Sequence, residues 1–464
     1  MSFESSPLWN EVKTIISSKT KRTLYTYRGT LHTEKEDLPI WELGSIEIVR
    51  DYLNMVAETG KVVFQMGLGD YTNRLYPYRD NLELTIKRIP LKDNLNEQVD
   101  KSLTLVTKYK AVFNPKNNPQ ITASDLESVR SESLNLTDMV EVHLELLNRF
   151  VEPLRVKTTS GSFLKYNAES IIRAILGGES LKVLVDGKQA IEGLDLIPPD
   201  NKETQPQFNF PHGMHITSVP TFIQENLGGV YNNGIGTFFQ VYNKKRLWFI
   251  YPTFDTERFD NDVKKVIFYA VTQDRVPQLD RSYQIDGNLV KIVVSAQRRY
   301  TDTAELSYIN EGSGFRMPDA RSYMTKPVII RIDGPIASRS ELNHETVTKD
   351  RKDNLNYAPM VRNGPSQNPF KYRSDVNRRS LAQIDLVWEN ADPELIYPGM
   401  PCKYLYMRQG EVMTLKGTIL FAHIFHNQAE RHHAQPFRTT CRLSISCETQ
   451  TKKPKLPTKR MIGD

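Results

Sequence analysis

Apolar residues in this chain recur at every second position, and that period limits the possible folds more than any other feature. In residues 81–87, Leu82, Leu84 and Ile86 fall on one face, with Asn81, Glu83, Thr85 and Lys87 on the other. Val140, Val142, Leu144 and Leu146 repeat the pattern, alternating with Glu141, His143 and Glu145. Cys441, Leu443, Ile445 and Cys447 alternate with Arg442, Ser444, Ser446 and Glu448. Each is a half-buried strand of period two. Between such runs stand Asp186-Gly187, Asn233-Gly234, Asp286-Gly287, Asp333-Gly334 and Asn363-Gly364. These pairs supply the positive φ of tight hairpins.

Helical signals are few. Asn167 can cap a helix with Glu169 in its first turn, an apolar face of Ile171, Ile172, Ile175 and Leu176, and a stop at Gly177-Gly178. A second is expected from Ser218, as cap, to Leu227, with Pro220 in its first turn and Gly228-Gly229 closing it. Residues 45–57 fit either period: Ile46 and Ile48 alternate as in a strand, while Val49, Tyr52, Leu53 and Val56 fit a helix.

A chain of 464 residues exceeds one ordinary core, so two to four domains are expected. The fold class read here is mainly β, multi-domain, with a smaller α+β domain. Boundaries fall near 151–160, near 273–282, and around a long polar stretch. They divide the chain into an N-terminal β domain (1–150), an α+β domain with two short helices (151–275), a β segment (276–337), a polar linker or inter-subunit loop (338–379) and a C-terminal β domain with a basic tail (380–464). A structureless loop as long as 338–379 is unusual inside a compact domain. It reads as a linker or as a segment ordered by a neighbouring subunit.

The net charge of +6 is too diffuse on a chain this size to read as nucleic-acid binding. Three cysteines, Cys402, Cys441 and Cys447, argue against a disulfide framework. The N-terminus lacks the pattern of a secretory signal, and no apolar run approaches the ~20 residues that span a bilayer. A soluble protein made in the cytosol, with no stable membrane insertion, is expected.

The search for chemistry finds no site. His423 and His426 lie three apart in F-A-H-I-F-H, which reads as a strand, so their rings point to opposite faces rather than converging on zinc. His432-His433 follow in a polar loop. His212 and His215 lack a third ligand nearby in sequence. The glycines of G-G-V-Y-N-N-G-I-G follow a helix and precede a strand, the reverse of a dinucleotide fingerprint. The aromatic and basic run from Tyr242 to Trp248 reads as a hairpin with a charged N-K-K-R turn. No catalytic, cofactor or metal residues are assigned, no cofactor is expected, and the chain is read as not an enzyme. A glycosidase-type carboxylate pair, distant in sequence, stays open.

Several segments together resemble a known family. They are I-E-I-V-R-D-Y-L-N from Ile46, L-Y-P-Y-R-D-N-L-E-L-T-I from Leu75, and T-S-V-P-T-F-I-Q-E-N-L-G-G-V-Y-N-N-G-I-G-T-F-F-Q from Thr217, leading into L-W-F-I-Y-P. N-E-G-S-G-F-R-M-P-D-A from Asn310 and L-I-Y-P-G-M-P-C-K-Y-L-Y from Leu395 follow, then the G-T-I-L-F and R-L-S-I-S-C strands. The succession resembles tail hub or baseplate hub proteins of tailed bacteriophages and, more distantly, the spike-base proteins of contractile injection systems. It is weakest over 95–135 and 340–378.

The resemblance implies a virion structural protein: a homotrimer of β-barrel domains, joining the tail tube protein to the central spike protein around a channel through which DNA passes as cargo. The alternatives carried beside it are a tail-associated cell-wall-degrading enzyme and a nucleic-acid-binding protein. Aromatic interface candidates are Tyr76, Tyr78, Trp248, Tyr251, Trp388 and Tyr404, although any one of them alone is more often a core residue.

Overall fold

The structure, a computed structural model, describes residues 7–17, 24–91, 103–118, 139–261, 264–272, 282–300, 316–318, 329–331, 381–408, 410–428 and 436–448. The stretch 338–379, the basic tail, His432-His433, the turns at Asp333 and Asn363, and most of the segment from Asn310 lie outside these.

Strands dominate, as the alternation predicts. The first group is β1 (Leu24–His32), β2 (Asp37–Ile40), β3 (Glu42–Asp51), β4 (Thr59–Gly67), β5 (Leu82–Leu91), β6 (Leu105–Phe113) and β7 (Met139–Asn148). The second is β8 (Thr158–Tyr166), β9 (Leu184–Val185), β10 (Lys188–Gln189), β11 (Gly193–Leu196), β12 (Gln205–His215), β13 (Ile235–Tyr242) and β14 (Lys245–Pro252). The rest are β15 (Lys265–Val271), β16 (Tyr283–Asp286), β17 (Leu289–Tyr300), the short pair β18 (Arg316–Pro318) and β19 (Ile329–Arg331), then β20 (Leu381–Glu389), β21 (Pro401–Arg408), β22 (Glu411–Gln428) and β23 (Phe437–Glu448). Three helices matter: α1 (Pro7–Ser17), α2 (Ala168–Ile172) and α3 (Val219–Asn226).

The pairings close on themselves twice. From β22 the neighbours run β3, β4, β7, β6, β5, β1 and β23, which pairs back onto β22, all antiparallel. A second circuit runs β22, β21, β15, β17, β20 and β23. The hairpin of β22 and β23 belongs to both. One edge of β22 pairs with β21 up to Thr418 and with β3 from Phe421, and its register against β23 slips between Ile419 and Phe421 at the changeover. A bulge bends a strand and re-aims its edge, which is what a strand serving two circuits needs. Cys441, Leu443, Ile445 and Cys447 are buried along this shared hairpin. The segment 380–464 therefore closes no circuit alone. β15, which lies within 151–275, and β17 complete the six-stranded one.

β15 runs parallel to both its neighbours, and a parallel strand is ordinarily covered on both faces. Val266, Phe268 and Ala270 face the main core. Tyr269 and Val271 face outward beneath Leu8, Val12 and Ile15 of α1. One face of α1, over about two turns, thus supplies the missing cover.

Residues between β7 and β15 build an α/β unit around Ile171, Ile172, Phe239, Trp248 and Ile250, with a sheet in the order β11-β14-β13. β8 and β12 form a separate two-stranded ribbon. Asn167 caps α2 as expected, its side chain accepting from the Ser170 N–H at 2.8 Å. Asn167→Ala is expected to lower the stability of this unit by about 1 kcal/mol, read from denaturant unfolding.

Gly177-Gly178 do not end the helix. It continues through a wide turn over 173–178 to Leu181, because Ser180 is buried and accepts the Trp248 indole N–H at 3.2 Å. Ser218 makes no side-chain cap for α3, which a 3₁₀ turn over Ile216–Ser218 precedes. Gly228 and Gly229 do close it with positive φ. Residues 45–51 are strand, ended by Asp51, whose carboxylate accepts the N–H groups of Leu53 and Asn54. The β13–β14 turn is narrower than expected. Only Asn243 and Lys244 take positive φ, while Lys245 and Arg246 already pair.

Candidate functional site at the junction of the two circuits

The two circuits and the α/β unit meet at one place, built largely by short segments far apart in sequence. Tyr251 of β14 is its centre. Its hydroxyl donates to the Tyr52 carbonyl at 2.7 Å, at the end of β3. Its ring lies against Gly399 and Gly236, where an added Cβ would come within 2.1 Å and 2.4 Å of ring atoms. Gln240 of β13 donates to the Ile396 carbonyl at 2.8 Å. Arg258 donates to the Gly399 carbonyl at 2.8 Å. The backbone continues the join: Tyr52 N–H donates to Leu420 O at 3.0 Å, Ile419 N–H to Met400 O at 3.1 Å, and Phe239 N–H to Val56 O at 2.7 Å.

Beside this lies a buried charge cluster inside the eight-stranded circuit. Arg50 pairs with Glu58 at 2.9 Å and with Glu394 at 3.3 Å, and donates to the Pro393 carbonyl at 3.3 Å. The other Glu58 oxygen accepts the Tyr109 hydroxyl at 3.1 Å. Arg88 pairs with Asp392 at 3.0 Å, its guanidinium 3.6 Å from the Tyr25 ring centroid. The loop between β20 and β21, strands of the six-stranded circuit, thus presents Asp392 and Glu394 to arginines of the eight-stranded one.

His426 joins the wall. Its Nδ1 lies 3.1 Å from the Tyr27 hydroxyl and 2.8 Å from that of Thr439, and burial pushes its pKa down to about 3. The neutral ring can accept from these hydroxyls. The cavity among these groups is about 60 Å³. A volume of that size holds about two waters, far short of the ~300 Å³ of an ordinary ligand pocket.

Burial holds the Glu394 carboxyl above its ordinary value despite Arg50 beside it. A carboxyl raised on folding contributes stability below its unfolded pKa and loses it as pH rises through the folded one. Glu394→Gln is therefore expected to flatten the fall in stability between about pH 4 and about pH 7, tested by denaturation midpoints at both.

The interface candidates are placed unevenly. Trp248, Tyr251, Trp388 and Tyr404 are buried within the chain, so none of the four is available to a partner. Their polar handles are used internally: the Trp388 indole donates to Ser282 at 2.9 Å, for example. Tyr76 and Tyr78 are half-buried, and Tyr76 packs on Phe113 and under Arg79. His423 and His426 do point to opposite faces, His423 meeting Glu47 at 2.5 Å on the outside. His212 and His215 lie exposed on β12. Cys402, Cys441 and Cys447 are buried free thiols, Cys441 pushed up to about 12 by burial. Among the described residues, no group of three His, Cys, Asp or Glu is placed to hold a metal ion.

Arg50 and Arg88 went unread in the sequence, although a signal was there. By parity Arg50 shares a face with Ile46 and Ile48, and Arg88 with Leu82, Leu84 and Ile86. A cation on an apolar face calls for a buried anion.

Comparison with protein-family models and with curated proteins finds no match. Among solved structures, the chain is similar to a 43 kDa tail protein of prophage MuSo2 from Shewanella oneidensis, with 8% identity and a TM-score of 0.45, over 92% of this chain and 100% of that one. It is similar to a tail protein from Neisseria meningitidis, with 9% identity and a TM-score of 0.42, over 90% and 96% of the two chains. It is also similar to an E. coli component of the type VI secretion system, with 8% identity and a TM-score of 0.42, over 91% of this chain and 77% of that one.

Proposed function

We propose that this chain is a structural virion protein of a phage tail, a hub adaptor whose two strand circuits act as closed barrels. The observation that carries the reading is the junction. The segments that resemble tail hub proteins, from Ile46, Thr217, Leu247, Leu395 and Gly417, supply Arg50, Tyr52, Gly236, Gln240, Tyr251, Ile396, Gly399 and Leu420, and these residues meet. The solved tail proteins are described as such for themselves; for this chain, the support lies in its own segments. Closing the circuits, the larger at the single pair Tyr25 and Phe437 of β1 and β23, leaves little strand edge within them, and a rigid join between them suits a load-bearing ring.

In this reading a homotrimer joins the tail tube protein to the central spike protein in the virion, made in the host cytoplasm, with DNA passing as cargo. Its role is structural and not catalytic. The purified full chain is expected to sediment as a trimer, alone or with tube and spike partners, and to localise to the tail tip in images of the particle. A chain that stays monomeric under all of these conditions overturns the reading. Zymography on peptidoglycan is expected to give no clearing; lysis abolished by a single Glu or Asp substitution would establish the cell-wall-degrading enzyme instead.

A further inference from the structure

The outer face of the eight-stranded circuit carries a row that breaks a rule of sheet design. Arg28 of β1 lies directly opposite Lys87 of β5, and Lys87 lies opposite Val106 of β6. Arg28 and Lys87 are both exposed. Like charges directly opposite on neighbouring strands repel. Nearby charges on this face are compensated: Lys108 meets Asp186 at 3.2 Å, and Glu83 meets Arg149 at 2.9 Å. Among the described residues, neither Arg28 nor Lys87 has an acidic partner.

Both ends of the row are apolar. The β1–β2 ladder ends at Gly29 and Ile40, so Trp41 and Arg28 are the next residues beyond the last pair on their two strands. Trp41 is 86% exposed, at the kink where β2 passes into β3, and Val106 is 52% exposed. Trp and Arg are among the residue types most enriched where interfaces hold their energy. A local cost with no compensation among the described residues points to a use outside them.

We infer that the row Trp41, Arg28, Lys87 and Val106 is a docking surface for a protein that presents carboxylates flanked by apolar side chains. Carboxylates between Arg28 and Lys87 would relieve their repulsion, while Trp41 and Val106 close the site against water. Nucleic acid fits less well. Two uncompensated cations are a short track for a phosphate backbone, and Val106 offers no face for a base to stack on. The inference stands on these residues, whatever particle the chain belongs to.

The probe is a copolymer of glutamate and tyrosine, titrated onto the full chain, with a short DNA duplex as comparison. Binding is expected, salt-dependent, weakened about tenfold in Arg28→Glu/Lys87→Glu and also weakened in Trp41→Ala. Lys202→Glu/Lys245→Glu, the same change of net charge at exposed positions elsewhere, is expected to bind as the parent does. Lys87→Glu alone places opposite charges across β1 and β5, so it is expected to unfold at a temperature no lower than the parent yet to bind the copolymer more weakly. That result separates a binding role from a folding one. The inference is overturned if the parent does not bind, if the control pair weakens binding equally, or if the duplex binds more tightly through the same residues.

Discussion

Replacing Gly399 by alanine is expected to lower the stability of the chain by about 4 kcal/mol, a large share of the ~5–15 kcal/mol that holds a domain folded. Two costs add. Gly399 has φ of +68°, where a side chain is strained whatever the space around it. Its Cβ would also stand 2.1 Å from Cδ2, 2.3 Å from Cγ and 2.7 Å from Cε2 of Tyr251. The ring cannot withdraw, because Gly236 lies against it as well and its hydroxyl is held by the Tyr52 carbonyl. Gly236→Ala meets the same ring without a positive φ, so it should cost less. Guanidinium unfolding of the two variants tests the order, and equal losses would remove the backbone contribution from the account. Tyr251→Leu beside Gly399→Ala should recover part of the packing cost and none of the strain.

The pair of glycines also marks how far the sequence could be read. Pro398, Gly399 and Met400 mark a turn on composition alone, and G-I-G precedes a strand by its spacing. Neither signal says that one tyrosine ring would need both glycines, since that requires β14 to lie against two segments more than 140 residues apart from each other. Parity was the reliable guide within a strand. It buried Leu82, Leu84 and Ile86, and Val142, Leu144 and Leu146, as expected. It could not give the partners of a strand, and so could not show that β22 serves two circuits or that β15 lies parallel between β17 and β21. Aromatic content misled for a related reason. Trp and Tyr have an apolar body and one polar group, which suits an interface or a core equally. What decides between them is a distant partner such as Ser282 for Trp388 or Ser180 for Trp248, and no local pattern announces it. Trp41, exposed at a kink between two strands, carried no periodic signal at all.

The second large effect is expected at Arg50. Arg50→Met should destabilise the chain by about 3–5 kcal/mol, because it removes the partner of a buried carboxylate instead of removing a charge from the surface. Among the described residues Glu58 would keep only the Tyr109 hydroxyl, and the loop bearing Pro393 and Glu394 would lose its bonds from Arg50. Removing both charges is a different experiment. Arg50→Met/Glu58→Gln leaves no buried ion unpaired and should lie much closer to the parent than Arg50→Met does, since a buried pair contributes little over well-packed neutral groups. The difference between single and double variants, read as a double-mutant cycle, measures the coupling. If the double variant is as stable as the parent yet no longer forms the same assembly, the cluster's role is to set how the six-stranded circuit sits on the eight-stranded one. If instead the double variant falls as far as the sum of the singles, Arg50 acts through its bond to the Pro393 carbonyl, and the join depends on the loop backbone more than on charge.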